Sequence, residues 1–377
     1  MDLNKPLLMI PGPVPLHPRV LKAMSRQMIN HRGPEFARIF DECVSILKDV
    51  FQTENDVLVL SGSGTAGMEA AVSNVTRGDE VVTIVNGKFG ERFKEIVALY
   101  GNPIPVEYAW GSSIELDDVE GALKKGASAV TMVHNETSVG IVNPAEEVGE
   151  LARKYDALFI MDGISSIGGN EVPVDKWGVD LAILGSQKCL AVPPGLAAIS
   201  VSERAWERME NVNSPYYLDL KAHQKSASKG QTPYTPAIPL FFALHEALRL
   251  VCEEGLSARV KRHERCADAV RRAMNAMGLE LFPRLNKISR YSNTVTAVKM
   301  PEGIVYEQLR DGIKNRGVLI AGGQEHLKGK IFRIGHMGNV SAKEILTTIE
   351  AVESTLAEHG VKAEGGVATV KEVERNS

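Results

Sequence analysis

With 377 residues, 44% of them hydrophobic and 24% charged, the chain has the make-up of a folded protein of two or three domains; disorder, collagen and coiled coil are excluded as its main architecture. Its 43 basic and 47 acidic residues leave a formal charge of -4, so charge advertises neither nucleic acid nor a membrane surface as a partner.

The opening MDLNKPLLMIPGPVP has an apolar run, Leu7 to Ile10, that Pro11 stops well short of an export signal, and no later stretch reaches the roughly 20 apolar residues a bilayer needs. Cys43, Cys189, Cys252 and Cys266 are scattered without metal-ligand spacing and read as reduced thiols. A cytoplasmic location is the expectation.

The chain divides into an extended N-terminal segment (1–16), a large α/β domain (17–255), a smaller α+β domain (256–359) and a polar tail (360–377) read as a frayed surface segment. The helix GPEFARIFDECVSILKDVF carries a core stripe of Phe36, Ile39, Phe40 and Val44, and His31 and Arg32 before it either line a substrate entrance or cap the helix. From residue 55 short apolar runs alternate with helical patterns: VLVL (57–60), EVVTIV (80–85), AVTMVH (129–134), ALFIMD (157–162) and DLAILGS (180–186). Strands this apolar are covered on both faces, which predicts a doubly wound, mainly parallel sheet. After an irregular stretch containing QTPYTPAIP come helices over 237–277. Sparser strands follow at 292–300, 317–322 and 330–335, with helices at 303–316 and 341–358.

SGSGTAGMEA (61–70) follows a strand and opens a helix, so its backbone N–H groups, with Ser63 and Thr65, suit a phosphate. The same glycines match a dinucleotide fingerprint, but EVVTIV runs into Asn86 and Gly87 without the acidic residue that a ribose requires. A bland tight turn is the remaining reading. Asp162 ends one apolar strand and Lys188 follows the next, so both fall at the carboxyl rim of the sheet. Alone, Asp162 reads as a turn cap and Lys188 as a solvated amine. Together with the phosphate turn they are what pyridoxal 5'-phosphate (PLP) asks for: a cradle, a carboxylate for the ring nitrogen and an amine.

At these residues the sequence resembles the class V aminotransferases of fold-type I, nearest to the alanine–glyoxylate and serine–pyruvate group. The resemblance runs through PGPVPLHPRV, SGSGTAGMEAA, NGKFGER, HNETSVG, MDGISSIGG, GSQKCLAVPPG and KIFRIGHMG. It implies PLP bound at the strand ends of the large domain, with Lys188 as the Schiff-base lysine and Asp162 as the ring-nitrogen partner. Ser63, Gly64, Thr65 and Gln187 match the phosphate contacts, Thr137 lies near the ring hydroxyl, and Phe89 and Ile164 take the two ring faces. Phe89 also reads as an ordinary core residue, and Arg333 as a paired surface arginine. By resemblance Arg333, with Gly12 more weakly, takes the substrate carboxylate.

Tyr234 and Thr235 fall where the family reaches into a partner subunit's site, which implies a homodimer. The implied reaction is a two-step, ping-pong exchange of an amino group between alanine or serine and glyoxylate or pyruvate. An aspartate aminotransferase is the alternative, with Arg32 or Arg290 as the second cation, and a PLP lyase is less favoured. A cysteine desulfurase is disfavoured because AGGQEHLKGK (321–330) holds no cysteine. No metal is expected.

Overall fold

The computed structural model describes residues 5–375. Seven strands form the central sheet: β1 (Asp56–Ser61), β2 (Glu80–Val85), β3 (Asn102–Glu107), β4 (Ala129–Val133), β5 (Leu158–Asp162), β6 (Leu181–Gly185) and β7 (Leu196–Val201). Their order is β1-β7-β6-β5-β4-β2-β3, and only β7 runs against the others. The carboxyl ends of β1, β2, β4, β5 and β6 therefore open on one rim.

The apolar runs form strands because the sheet is covered twice. Successive residues point to opposite faces: Val57 and Val59 join a core with Phe36, Phe40, Phe159 and Phe241, whereas Leu58 and Leu60 join one with Met68, Val72, Phe93 and Val97. The helices Pro34–Phe51 and Ile238–Glu254 build the first face, where the rings of Phe36 and Phe241 meet edge-on at 5.2 Å. Gly64–Val75 and Lys88–Tyr100 cover the second. Close approach of Gly64–Val75 to the sheet depends on Gly67, where a Cβ would stand 2.7 Å from Ile183 Cγ2.

Two strands of the central sheet were not foreseen. β3 carries Pro103 and Pro105, which break the usual strand pattern and are tolerated because β3 is the sheet edge. β7 was masked by the prolines and Gly195 that precede it.

Gly255, at φ +79°, separates Ile238–Glu254 from Leu256–Ala276, so the helical stretch over 237–277 is two helices. The C-terminal part holds an antiparallel sheet of β8 (Val295–Lys299), β9 (Ala321–Gly322) and β10 (Ile331–Gly335), ordered β8-β10-β9. The N-terminal segment belongs to this part: Leu7–Leu8 pairs with Val318–Leu319, and Met9 is buried in its core.

The tail departs from expectation. Gly366–Arg375 is a helix packed on Leu256–Ala276 and Ala342–Glu358, with Val370 fully buried. Val367, Val370 and Val373 recur every three residues and make one apolar stripe, which the surrounding charges hid. Val370→Asp is therefore expected to destabilise the protein by roughly 3 kcal/mol or more, since it buries an unpaired charge. Denaturant unfolding checks this; an unchanged midpoint would restore the frayed tail.

Candidate active site

Five strand ends feed one cleft, lined by Ser63, Gly64 and Thr65 after β1, Phe89 and Arg92 after β2, Asn135 and Thr137 after β4, Asp162 and Ile164 at β5, and Gln187 and Lys188 after β6. Ser63 caps the helix Gly64–Val75 without a side-chain cap bond, and Ala66 and Gly67 already donate to its carbonyl. The N–H groups of Gly64 and Thr65 are thereby left without an acceptor among the described residues, at the positive end of the helix dipole. Glycine at 64 makes room for Ile164, whose Cδ1 would lie 2.5 Å from a Cβ there.

Asp162 is 3% exposed and its Oδ1 accepts from the Ile164 N–H at 2.8 Å. Burial pushes its carboxyl up to about 7, against the opposing pull of that N–H, with Glu136 adding to the rise and Lys188 and Arg92 opposing it. Lys188 lies in the same cleft and donates from Nζ to the Pro11 carbonyl. Burial lowers its amine to about 8, and the Asp162 charge offsets only part of that. Gly12, at φ +104°, lets the N-terminal turn approach; a Cβ there would meet Lys188 Cδ at 2.8 Å and Nζ at 2.9 Å.

Arg333 stands beside the cleft, outside its immediate lining, 7% exposed and without an ion pair among the described residues. Its Nε donates to Gly322 O at 2.9 Å and its Nη1 to Thr137 O at 2.9 Å, and Gln324 Oε1 lies 3.4 Å from Nη1. No bond holds Nη2. Burial lowers the guanidinium to about 10, and Glu136 and Tyr306 pull the other way.

The remaining named residues lie elsewhere. Tyr234 stacks on Tyr217 at 5.1 Å and donates to Tyr216 O at 2.5 Å, and neither it nor exposed Thr235 lines this chain's cleft. Arg32 donates to the carbonyls of Thr232 (2.7 Å) and Pro233 (3.1 Å), and Arg290 is exposed on the short strand Arg290–Tyr291. Neither they nor His31 lines the cleft.

Three residues escaped the sequence reading although their motifs were noted. Glu136, fully buried, accepts from the N–H groups of Phe89 (2.9 Å) and Gly90 (3.0 Å) and from Ser138 Oγ (2.5 Å), which fixes the start of the helix bearing Phe89. Asn135 lines the cleft with an unpartnered buried Oδ1 while its Nδ2 donates to Thr294 Oγ1 at 2.7 Å. Arg92 sets its guanidinium 4.8 Å from the Phe89 ring centre and donates to Thr65 Oγ1 at 3.3 Å.

Free first-turn N–H groups, a desolvated carboxylate and a desolvated amine at neighbouring strand ends define a cofactor-dependent enzyme of amine chemistry. The family model for class V aminotransferases matches residues 16–343, and the chain belongs to that family. An uncharacterised aminotransferase of Methanocaldococcus jannaschii is 50% identical over 99% of this chain and 98% of its own. A serine–glyoxylate aminotransferase of Methylorubrum extorquens is 34% identical, covering 95% of this chain and 93% of its own. The crystal structure of ureidoglycine–glyoxylate aminotransferase from Bacillus subtilis covers all of both chains at TM-score 0.93 and 35% identity.

The family's cofactor is PLP, and the residues present fit it: N–H groups unpaired among the described residues for a phosphate, and a carboxylate without a cationic partner in contact for the ring nitrogen. Among the described residues no cluster of His, Cys, Asp or Glu is arranged to hold a metal ion.

The raised Asp162 has a consequence for the cofactor-free protein. Because the folded state holds this proton more tightly than the unfolded chain, its contribution to stability is full below about 4 and is lost as pH rises through about 7. Asp162→Asn should remove that decline, seen as the difference between wild-type and variant unfolding curves from pH 4 to 8. Parallel pH profiles would contradict it.

Proposed function

We propose that this PLP-dependent aminotransferase exchanges the amino group between a small L-amino acid, alanine or serine, and glyoxylate or pyruvate, in two half-reactions served by Lys188. The observation that carries the reading is the pairing of Lys188 and Asp162 in one desolvated cleft, each shifted toward its neutral form.

Bound there, PLP supplies an electron sink that lets a Cα–H bond of the amino acid break. Gly64 and Thr65 N–H groups, with the Ser63 hydroxyl and Gln187, would hold its phosphate. Asp162, short of a cation, would keep the ring nitrogen protonated. Phe89 and Ile164 would bracket the ring and Thr137 would sit near its hydroxyl, with Asn135 Oδ1 a further acceptor on that side.

Lys188 would anchor the cofactor and then move the substrate proton, because an amine lowered to about 8 is partly neutral at physiological pH. Arg333, whose Nη2 has no bond among the described residues, would offer that nitrogen to the α-carboxylate, and Gly12 brings backbone alongside Lys188.

Small donors are favoured because Arg32 serves loop carbonyls, Arg290 lies outside the cleft, and Arg92, the arginine that does line it, is turned to the phosphate loop through Thr65 Oγ1. Relatives named for glyoxylate as acceptor support the choice of oxo acid. The cluster of exposed Tyr216 and Tyr217 with half-buried Tyr234 suits a homodimer in which Tyr234 and Thr235 complete the partner's site. No helix among the described residues is long and apolar enough to cross a membrane, and the four cysteines are free, in keeping with a cytoplasmic enzyme.

Lys188→Ala should fold, bind PLP only non-covalently and lose about 10³-fold or more of its alanine–glyoxylate and serine–glyoxylate exchange. Steady-state kinetics of variant and wild type check this, with parallel double-reciprocal lines expected for the two-step exchange. Substantial activity without the lysine, or intersecting lines, would overturn the scheme.

A further inference from the structure

The cleft holds a cation with no assigned role. Arg92 lies one helical turn after Phe89 in Lys88–Tyr100, so the two side chains share a face of the helix. Its guanidinium packs on the Phe89 ring, a contact that fixes the fork's plane, and reaches Thr65 Oγ1 at 3.3 Å. It has no carboxylate partner among the described residues. Of the carboxylates near it, Asp162 feels its charge across the cleft without a contact pair and Glu95 is exposed, while Glu91 and Glu69 are engaged elsewhere. Glu91 meets Lys88 Nζ at 3.5 Å and Trp110 Nε1 at 3.2 Å, and Glu69 accepts from Tyr100 at 2.7 Å.

An arginine held in place by an aromatic ring, lacking an ion pair and resting on the hydroxyl of a loop with free N–H groups is arranged for an oxyanion with several acceptors. The α-carboxylate has its own candidate in Arg333, which bonds the carbonyls of Gly322 and Thr137.

We propose that Arg92 is a phosphate-binding residue, which neutralises the cofactor's phosphate together with the Ser63–Thr65 turn and sets the tilt of Phe89 over the ring in the same contact. The inference rests on the placement of that phosphate at the 63–65 turn. Neutral N–H donors and a helix dipole carry only part of a dianion's charge, and Arg92 supplies a full positive charge on the same side. The Phe89–Arg92 pair thus couples recognition of the phosphate to stacking on the ring.

The test compares PLP with pyridoxal, which keeps the ring and aldehyde but lacks the phosphate. Cofactor-free protein is titrated with each by visible absorbance, for wild type, Arg92→Gln, Arg92→Lys and the loop variant Ser63→Ala/Thr65→Val. Arg92→Gln is expected to raise the Kd for PLP about 10- to 100-fold, the worth of a charge-assisted hydrogen bond, and the Kd for pyridoxal by only a small part of that, the loss through Phe89. Arg92→Lys should recover part of the loss, and inorganic phosphate should compete with PLP more weakly in Arg92→Gln than in wild type.

Equal losses for PLP and pyridoxal would overturn the proposal and leave Arg92 a brace for Phe89 alone. If the loop variant loses its preference for PLP over pyridoxal while Arg92→Gln keeps it, the phosphate is at the turn and Arg92 does not bind it. If the loop variant and Arg92→Gln both keep the preference, neither the hydroxyls of the turn nor Arg92 contacts the phosphate, and the proposal fails together with the placement it rests on.

Discussion

The desolvation of one carboxylate is the constraint on which this structure turns. Asp162 ends a strand buried on both faces, and the sheet supplies it with a single backbone N–H. A carboxylate so placed is driven toward its protonated form unless a cation or a proton-bearing ring meets it. The neighbouring strand ends in Lys188, whose amine pays the same penalty in the opposite sense. Two groups that would stabilise each other as a contact pair instead share a cleft without a salt bridge, which leaves both available to a third partner.

The cleft walls keep that third partner's place open. Glycine at 64 lets Ile164 close one side, glycine at 12 lets the N-terminal turn meet Lys188, and Glu136 fixes the backbone from which Phe89 and Arg92 project. Glu136 is itself a buried carboxylate raised by desolvation, held by N–H groups of Phe89, Gly90 and Ser138 and by the Ser138 hydroxyl. The segment from Asn135 to Ser138 thus serves the helix at Lys88–Tyr100, the cleft floor and, through the Thr137 carbonyl, Arg333 of the C-terminal part.

Much of this was legible in the sequence because it is local. A strand buried on both faces is a run of Val, Ile and Leu, and residues just past its carboxyl end fall on the ligand rim whatever the strand order. Ser63, Asp162 and Lys188 could be placed together on that basis, whereas Gln187 was named only through the family resemblance. β3 was missed because edge strands tolerate prolines, and the C-terminal helix because three valines among charges make a weak stripe that only packing on two other helices reveals. Arg92 was missed because an arginine on an amphipathic helix reads as solvated; only the approach of that helix to the 63–65 turn gives it a partner. Glu136 was missed because its contacts are backbone N–H groups some 50 residues away, which leave no trace in residue type.

The central claim is that Lys188 and Asp162 serve a cofactor that takes the amino group from a small amino acid. The most direct measurement is the visible absorption spectrum of the PLP-loaded protein before and after alanine, serine or aspartate is added without any oxo acid. The account predicts that the cofactor band shifts to that of the aminated cofactor with alanine or serine and reverts on adding glyoxylate. No shift with any donor, or a shift with aspartate alone, would contradict it.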